Sequence, residues 1–133
     1  MKKIAVDTNV LVRVAIRDDA KQMRAAQATL AGADILAVST HALCEFAWVM
    51  RQGYKQAPAK IAAGIRLVIG GANVSIDRPA TDAGLAMLDA GGDFADGVIA
   101  HEGRALGADK FVSFDKRAVD LLLQQGEPAE LLS

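Results

Sequence analysis

Hydrophobic positions along the chain alternate between short β-branched runs and longer segments in which apolar residues recur with a helical period. The short runs predict strands near Lys3 to Val6, Ile35 to Val38, Val74 to Ile76 and Phe111 to Ser113. The longer segments predict helices at about residues 9 to 16, 20 to 31, 40 to 52, 58 to 69, 80 to 90, 95 to 107 and 116 to 125. Strands that alternate with helices are typical of an α/β domain with a mostly parallel sheet.

The organisation of the chain favours one domain over residues 1–133. Its length is near the usual size of a domain, and no internal repeat, low-complexity tract or long linker interrupts the pattern. The segment after Gly126 either adds a short edge strand or frays. We therefore expect a sheet of four or five strands.

Composition and charge narrow the functional class. A single cysteine, Cys44, allows no internal disulfide, and Asp7 interrupts the apolar start too early for a signal peptide. No uncharged stretch is long enough for a membrane helix. We expect a soluble, cytoplasmic protein with no membrane association.

The net charge of -1 argues at first against a nucleic-acid binder, which usually carries a basic excess. The charge is unevenly spread, however. Residues 1 to 75 contain ten Lys and Arg against five Asp and Glu, whereas residues 76 to 133 contain five against eleven. The location of the acidic residues therefore matters more than their number.

Two aspartates follow predicted strands, where open parallel sheets bind their ligands. Asp7 follows the first strand in AVDTNVLVR, and Asp115 follows the last in FVSFDKRA. Each also stands where a helix begins, so each could simply be an N-cap that accepts backbone N–H groups. Taken singly, each aspartate is better explained as an N-cap, because caps are far commoner than ligands.

Glu45 is the one charged residue in the apolar segment Ala42 to Met50, which predicts a helix buried on most sides. A buried carboxylate must be paired, neutralised or bound to a cation, because an isolated buried charge is costly. Arg51 has the wrong spacing for a helical ion pair with Glu45. This burial argument favours a functional role for Glu45.

Asp93 and Asp96 lie three residues apart at a predicted helix start, in GGDFADGVIA. Asp93 is the candidate N-cap, and Asp96 in the first turn is favoured by the helix dipole. Asp96 would then be free to point toward a ligand.

Asp7, Glu45, Asp96 and Asp115 thus come from four separate elements. If they converge, their mutual repulsion requires a cation, and Mg²⁺ or Mn²⁺ prefers such oxygen ligands. Thr8, Asn9 and Ser113 add short polar groups that could orient a carboxylate or a bound water. Setting the four acids aside leaves a charge of +3, which is compatible with RNA binding.

These motifs, AVDTN, the lone Glu45, DFADGVIA and SFD, resemble in order and spacing the PIN-domain nucleases, most closely the VapC-type toxins. The resemblance covers essentially the whole chain. It implies a three-layer α/β/α fold and a Mg²⁺- or Mn²⁺-dependent endoribonuclease that forms a homodimer and is inhibited by a VapB-like antitoxin. The family's acidic cluster falls on Asp7, Glu45, Asp96 and Asp115, and Asp93 matches a less uniform acid.

Two other interpretations of the function stay open at this point. A receiver-like signalling domain also places acids and a metal at strand ends, although it has no use for Glu45. A PIN-like fold could also act as a non-catalytic module that binds RNA or protein.

The residues that would contact RNA are less clear from the sequence. Among the six aromatic residues most are expected in the core, which predicts little base stacking. The candidate RNA-contacting cations belong to the basic half: Arg13, Arg17, Lys21, Arg24, Arg51 and Lys55.

Overall fold

Helices and strands alternate along the chain, as the hydrophobic pattern predicts. The computed structural model describes all residues from 1 to 133, and these fall into two units, Met1–Asp77 and Arg78–Ser133. Every strand pair in both units is parallel. The α/β class is therefore confirmed, while a single domain over residues 1–133 stays a prediction.

The first unit contains three strands and four helices. In chain order they are β1 (Lys3–Ala5), α1 (Thr8–Ala15), α2 (Ala20–Ala31), β2 (Ile35–Ala37), α3 (Thr40–Gln52), α4 (Pro58–Ile69) and β3 (Val74–Ser75). The strands form one sheet in the order β1, β2, β3, with Leu36 opposite both Ile4 and Val74. Because the strands are parallel, their carboxyl ends share one edge, and Asp7 follows β1 there.

The core of the first unit is built from one face of each helix. Leu11 in α1, Leu43 and Phe46 in α3, and Ile65 in α4 are all almost completely buried. The Phe46 ring lies against α4, where a Cβ added at Gly64 would meet it at an ordinary contact distance of 3.7 Å. Side chains therefore separate the backbones of these two helices.

The second unit contains three helices and two strands. In chain order they are α5 (Arg78–Asp89), α6 (Phe94–Ala105), β4 (Phe111–Ser113), α7 (Lys116–Gln124) and β5 (Ala129–Leu131). Phe111 pairs with Ala129 and Ser113 with Leu131. The segment after Gly126 thus forms a strand, which is one of the two outcomes that the sequence left open.

Helices α5 and α6 approach each other through glycines. A Cβ at Gly84 would lie 2.5 Å from the Phe94 ring, and a Cβ at Gly97 would lie 2.3 Å from the carbonyl oxygen of Ala83. Real Cβ atoms do not make such contacts, so the absence of a side chain is what permits this crossing. The crossing places the first turn of α6, which contains Asp96, against α5.

Observed and predicted bounds agree within two residues for every element. The largest shifts are two residues: α6 ends at Ala105 instead of residue 107, and α5 begins at Arg78 instead of residue 80. Pro79 lies in its first turn, where a missing N–H costs no hydrogen bond. No helix is both long and apolar enough to span a membrane.

Candidate functional site

Asp7 is the N-cap of α1. Its backbone is extended, and its Oδ1 accepts a hydrogen bond from the backbone N–H of Val10 at 3.2 Å. The residue is exposed. A carboxylate has two oxygens with about four acceptor sites in all, so a single cap bond leaves capacity for a cation. The capping and metal-binding interpretations of Asp7 are thus compatible.

Thr8 connects the start of α1 to α3. It is 9% exposed, and its Oγ1 donates to Glu45 Oε2 at 2.9 Å, with the carbonyl oxygen of Ala42 farther away at 3.4 Å. The contact joins residues 37 positions apart in the chain. The residue next to Asp7 therefore holds the Glu45 carboxylate by a charge-assisted hydrogen bond.

Glu45 is not buried, which corrects the sequence argument. Its side chain is 54% exposed, and Oε1 lies 2.6 Å from His41 Nε2. Helix α3 buries Leu43, Phe46 and Met50 on one face and exposes Glu45 on the other. The apolar side chains flanking Glu45 made the helix look buried on most sides. The burial cost therefore gives no reason for a cation, and the functional role of Glu45 stays a prediction.

His41 is a contact of Glu45 that was not among the predicted site residues. It precedes Glu45 by four positions on α3, which is the spacing of neighbours on one helix face. That spacing was visible in the sequence. With both of its oxygens hydrogen bonded, Glu45 is held in a defined orientation at the surface of the first unit.

Asp77 is a second residue that the sequence interpretation overlooked. It stands two positions after the end of β3, as Asp7 stands two positions after the end of β1. Both are exposed. The sequence carried the same signal for it, because Asp77 directly follows the strand predicted at Val74 to Ile76.

Asp93 and Asp96 lie at the start of α6 in the second unit. Asp93 is the N-cap by position, but its side chain makes no capping hydrogen bond, contrary to expectation. Asp96 is partly buried in the first turn. Its placement at the helix N-terminus is favourable for a negative charge.

Asp115 is the N-cap of α7. Its Oδ1 accepts from the backbone N–H of Ala118 at 3.1 Å, and its own N–H donates to Ser113 Oγ at 2.9 Å. The residue is exposed, as is Asp7. Ser113 therefore fixes the backbone of the acid, whereas Thr8 in the first unit fixes a carboxylate.

The donor set suits a hard cation. Carboxylate oxygens, with the amide of Asn9 exposed beside Asp7, match the ligands that Mg²⁺ and Mn²⁺ prefer. Within each unit, no three His, Cys, Asp or Glu side chains form a group that could hold a metal ion. Neither unit alone contains a complete cage, so convergence of the four acids stays a prediction.

The charge difference between the halves of the sequence carries over to the two units. The first contains ten Lys and Arg against six Asp and Glu, and the second contains five against ten. Arg13 pairs with Asp18 at 2.8 Å and donates to Tyr54 Oη at 3.3 Å. The other candidate RNA-contacting cations are exposed: Arg17, Lys21, Arg24, Arg51 and Lys55.

The aromatic residues are less buried than the sequence suggested. Phe46 and Phe94 are core residues, but Trp48 is 65% exposed, Phe114 is 75% exposed and Tyr54 is 37% exposed. The expectation that most aromatics lie in the core is therefore wrong for three of the six. Trp48 follows Glu45 on α3, and Phe114 directly precedes Asp115.

Comparison with known proteins accounts for this arrangement of parallel strands and exposed acids. No curated protein sequence matches the chain. The family model of the PIN domain matches residues 4–121, which include all four predicted acids and extend across both units. PIN domains are generally nucleases that act on RNA, and PIN nucleases typically use divalent metals. The chain belongs to the PIN domain family.

Proposed function

We propose that this PIN domain is a Mg²⁺- or Mn²⁺-dependent endoribonuclease and the VapC-like toxin of a toxin–antitoxin pair. The observation that carries the proposal is the family match over residues 4–121, within which Asp7, Glu45, Asp96 and Asp115 all lie. A receiver-like signalling domain is not supported, because the chain belongs to another family. The non-catalytic PIN-like module is the alternative that experiment must exclude.

In this proposal the metal ligands are the four predicted acids. Asp7 and Asp96 are the first choices as direct ligands, and Glu45 and Asp115 bind directly or through water. When bound, the divalent cation would activate a water and stabilise negative charge on the scissile phosphate. A metal-activated water would leave a 5′-phosphate and a 3′-hydroxyl, as the family resemblance implies.

The chain's own residues orient the acids. The Val10 N–H fixes one oxygen of Asp7, and the Thr8 hydroxyl fixes one oxygen of Glu45. Ser113 fixes the backbone of Asp115. Such supports hold a ligand in place before substrate arrives and strengthen metal binding. Asp93 has no assigned role beyond its place at the start of α6.

The proposed partners follow from the VapC resemblance. They are an RNA substrate, a VapB-like antitoxin and a second copy of the chain, all in the cytoplasm. One feature of the structure favours a homodimer: Leu67 on α4 is an apolar side chain that is 83% exposed in a single copy.

The test combines RNA cleavage with stability. Wild-type protein should cut RNA with Mg²⁺ and stop when a chelator is added. Asp7→Asn and Asp96→Asn should each lower cleavage by more than about a hundredfold, because a neutral amide is a poor ligand for these cations. The Asp7→Asn apo protein should be as stable as wild type or more so, since like-charge repulsion is relieved.

Three outcomes contradict the proposal. Cleavage that persists in chelator, or an Asp7→Asn variant that cuts RNA like wild type, rules out the metal mechanism. A protein that binds RNA but never cuts it under any metal condition is the non-catalytic module instead.

A further inference from the structure

Trp48 is the only tryptophan of the chain, and it is 65% exposed. Tryptophan is highly buried on average, because its large ring gains more than most side chains by leaving water. A ring this open, on a helix whose other face is packed, is available for contact with a molecule outside the fold.

The position of Trp48 is fixed by α3. It lies three residues after Glu45 and seven after His41, so these three side chains share one face of the helix. The opposite face carries Leu43, Phe46 and Met50, which are buried. The indole therefore belongs to the same exposed surface as the Glu45 carboxylate and is not a displaced core residue.

The basic character of the first unit favours a nucleic-acid strand as the molecule that Trp48 contacts. The first unit carries a surplus of basic side chains, which attracts phosphates. Helix α3 itself has Arg51 in its last turn, three residues after Trp48. An exposed aromatic ring in a unit with a basic excess is a combination that proteins use to hold single-stranded nucleic acid.

We propose that Trp48 stacks on a base of single-stranded RNA and so holds the substrate beside Glu45. This inference rests on the proposed nuclease function and adds to it a binding contact and a preference for unpaired RNA. Stacking accepts any base, because every base has a flat aromatic face. Trp48 contributes to binding and takes no part in the chemical step.

Intrinsic fluorescence tests the contact directly, because Trp48 is the only indole in the chain. Wild-type protein is titrated in chelator, which prevents metal-dependent cleavage, with a single-stranded RNA oligonucleotide of mixed sequence. A matched oligonucleotide of the same length but without bases serves as the control. The RNA should quench and shift the emission, and the abasic strand should leave it unchanged at equal occupancy measured by anisotropy.

Variants measure the contribution of the ring. Trp48→Ala should weaken RNA binding by about 5- to 150-fold, and Trp48→Phe should restore most of the affinity, since it keeps an aromatic face. Under Mg²⁺ the loss should appear mainly in KM rather than kcat, because a binding contact has been removed. Leu106→Ala, which removes an apolar side chain that is 90% exposed and has no assigned role, should bind RNA like wild type.

Three outcomes overturn the inference. They are equal quenching by the abasic strand, wild-type RNA affinity in Trp48→Ala, or loss of a dimer in Trp48→Ala with unchanged RNA affinity per protomer, measured by light scattering. Failure of the proposed function is distinguishable from all three. In that case wild-type protein does not cleave RNA with Mg²⁺, while the fluorescence titration still reports whether the base contacts Trp48.

Discussion

Helices pack differently in the two units of this chain. In the first unit the Phe46 side chain fills the space beside α4, and an added Cβ at Gly64 would have ordinary room at 3.7 Å. In the second unit α5 and α6 meet so closely that a Cβ at Gly97 would lie 2.3 Å from a backbone oxygen. The first contact can adjust by moving a side chain, whereas the second can adjust only by moving a backbone.

This difference bears on the predicted site, because Asp96 directly precedes Gly97. The place of Asp96 is set by how closely two backbones approach. The place of the Glu45 carboxylate is set by its hydrogen bonds with Thr8 and His41. We expect the second unit to be the more sensitive of the two to small changes in volume.

The largest effect is predicted for Gly97→Ala. The new methyl group would collide with the backbone of Ala83, so α5 and α6 would have to separate. We expect a loss of about 2 to 4 kcal/mol in the free energy of unfolding, measured by urea denaturation. RNA cleavage by the folded fraction should also fall, because the shift of α6 displaces Asp96.

Gly64→Ala is the matched change in the first unit. Its methyl group meets only the Phe46 ring at 3.7 Å, and alanine is the better helix former by about 1 kcal/mol. The free energy of unfolding should therefore stay the same or rise. Equal losses in both variants would show that the contrast between the two helix contacts is not real.

The sequence predicted the elements of both units well but did not predict this contrast. The ends of helices and strands follow from the period of hydrophobic residues and from capping residues such as Asp7 and Asp115, and both are local signals. How closely two helices cross depends on which residues meet in the folded chain. The sequence around Gly84 and Gly97 contains no signal that predicts a close approach. Glycines inside predicted helices are as consistent with a loose contact as with a close one.

A second, smaller pair of effects concerns the two capping aspartates. Asp7→Ala and Asp115→Ala should each lower the free energy of unfolding by about 1 kcal/mol, because each removes the carboxylate that accepts a backbone N–H in the first turn of a helix. The asparagine variants should keep the stability, since asparagine caps equally well. Thermal or urea unfolding measures both.

The two aspartate series also separate structure from chemistry. If both acids serve the nuclease site, asparagine at either position preserves the fold and removes cleavage. If Asp115→Asn cuts RNA normally while Asp7→Asn does not, Asp115 is a cap alone, and the second unit contributes fewer ligands than proposed.

The site was less predictable than the fold, and Glu45 shows why. Its sequence neighbours are apolar, and only the three-dimensional packing of α3 decides which side of the helix meets water. The exposed stripe that contains His41, Glu45 and Trp48 follows the same helical period as the buried one. Without knowing where the core lies, one cannot tell from the sequence which of the two stripes is buried and which is exposed. The Thr8 contact is even less accessible, since it joins residues 37 positions apart.

The smallest effect on stability, and a distinct effect on activity, is predicted for the hydroxyl groups that hold the acids. Thr8→Val removes the donor to Glu45 while keeping the shape of the buried side chain. Because Glu45 is 54% exposed and regains water, the unfolding free energy should fall by no more than about 1 kcal/mol. Cleavage should fall by about tenfold or more, since the carboxylate loses its orientation.

Ser113→Ala is the corresponding change in the second unit, and Thr8→Ser is the control that keeps the hydroxyl. Thr8→Ser should restore cleavage toward the wild-type rate. Ser113→Ala removes the acceptor of the backbone N–H of Asp115, but the Asp115 carboxylate still accepts from the backbone N–H of Ala118. Cleavage should therefore fall less than in Thr8→Val. If Ser113→Ala has the larger effect, the orientation of Asp115 depends on its backbone. Cleavage would then depend on how the backbone holds Asp115 at the start of α7, as well as on the placement of Asp96 in α6.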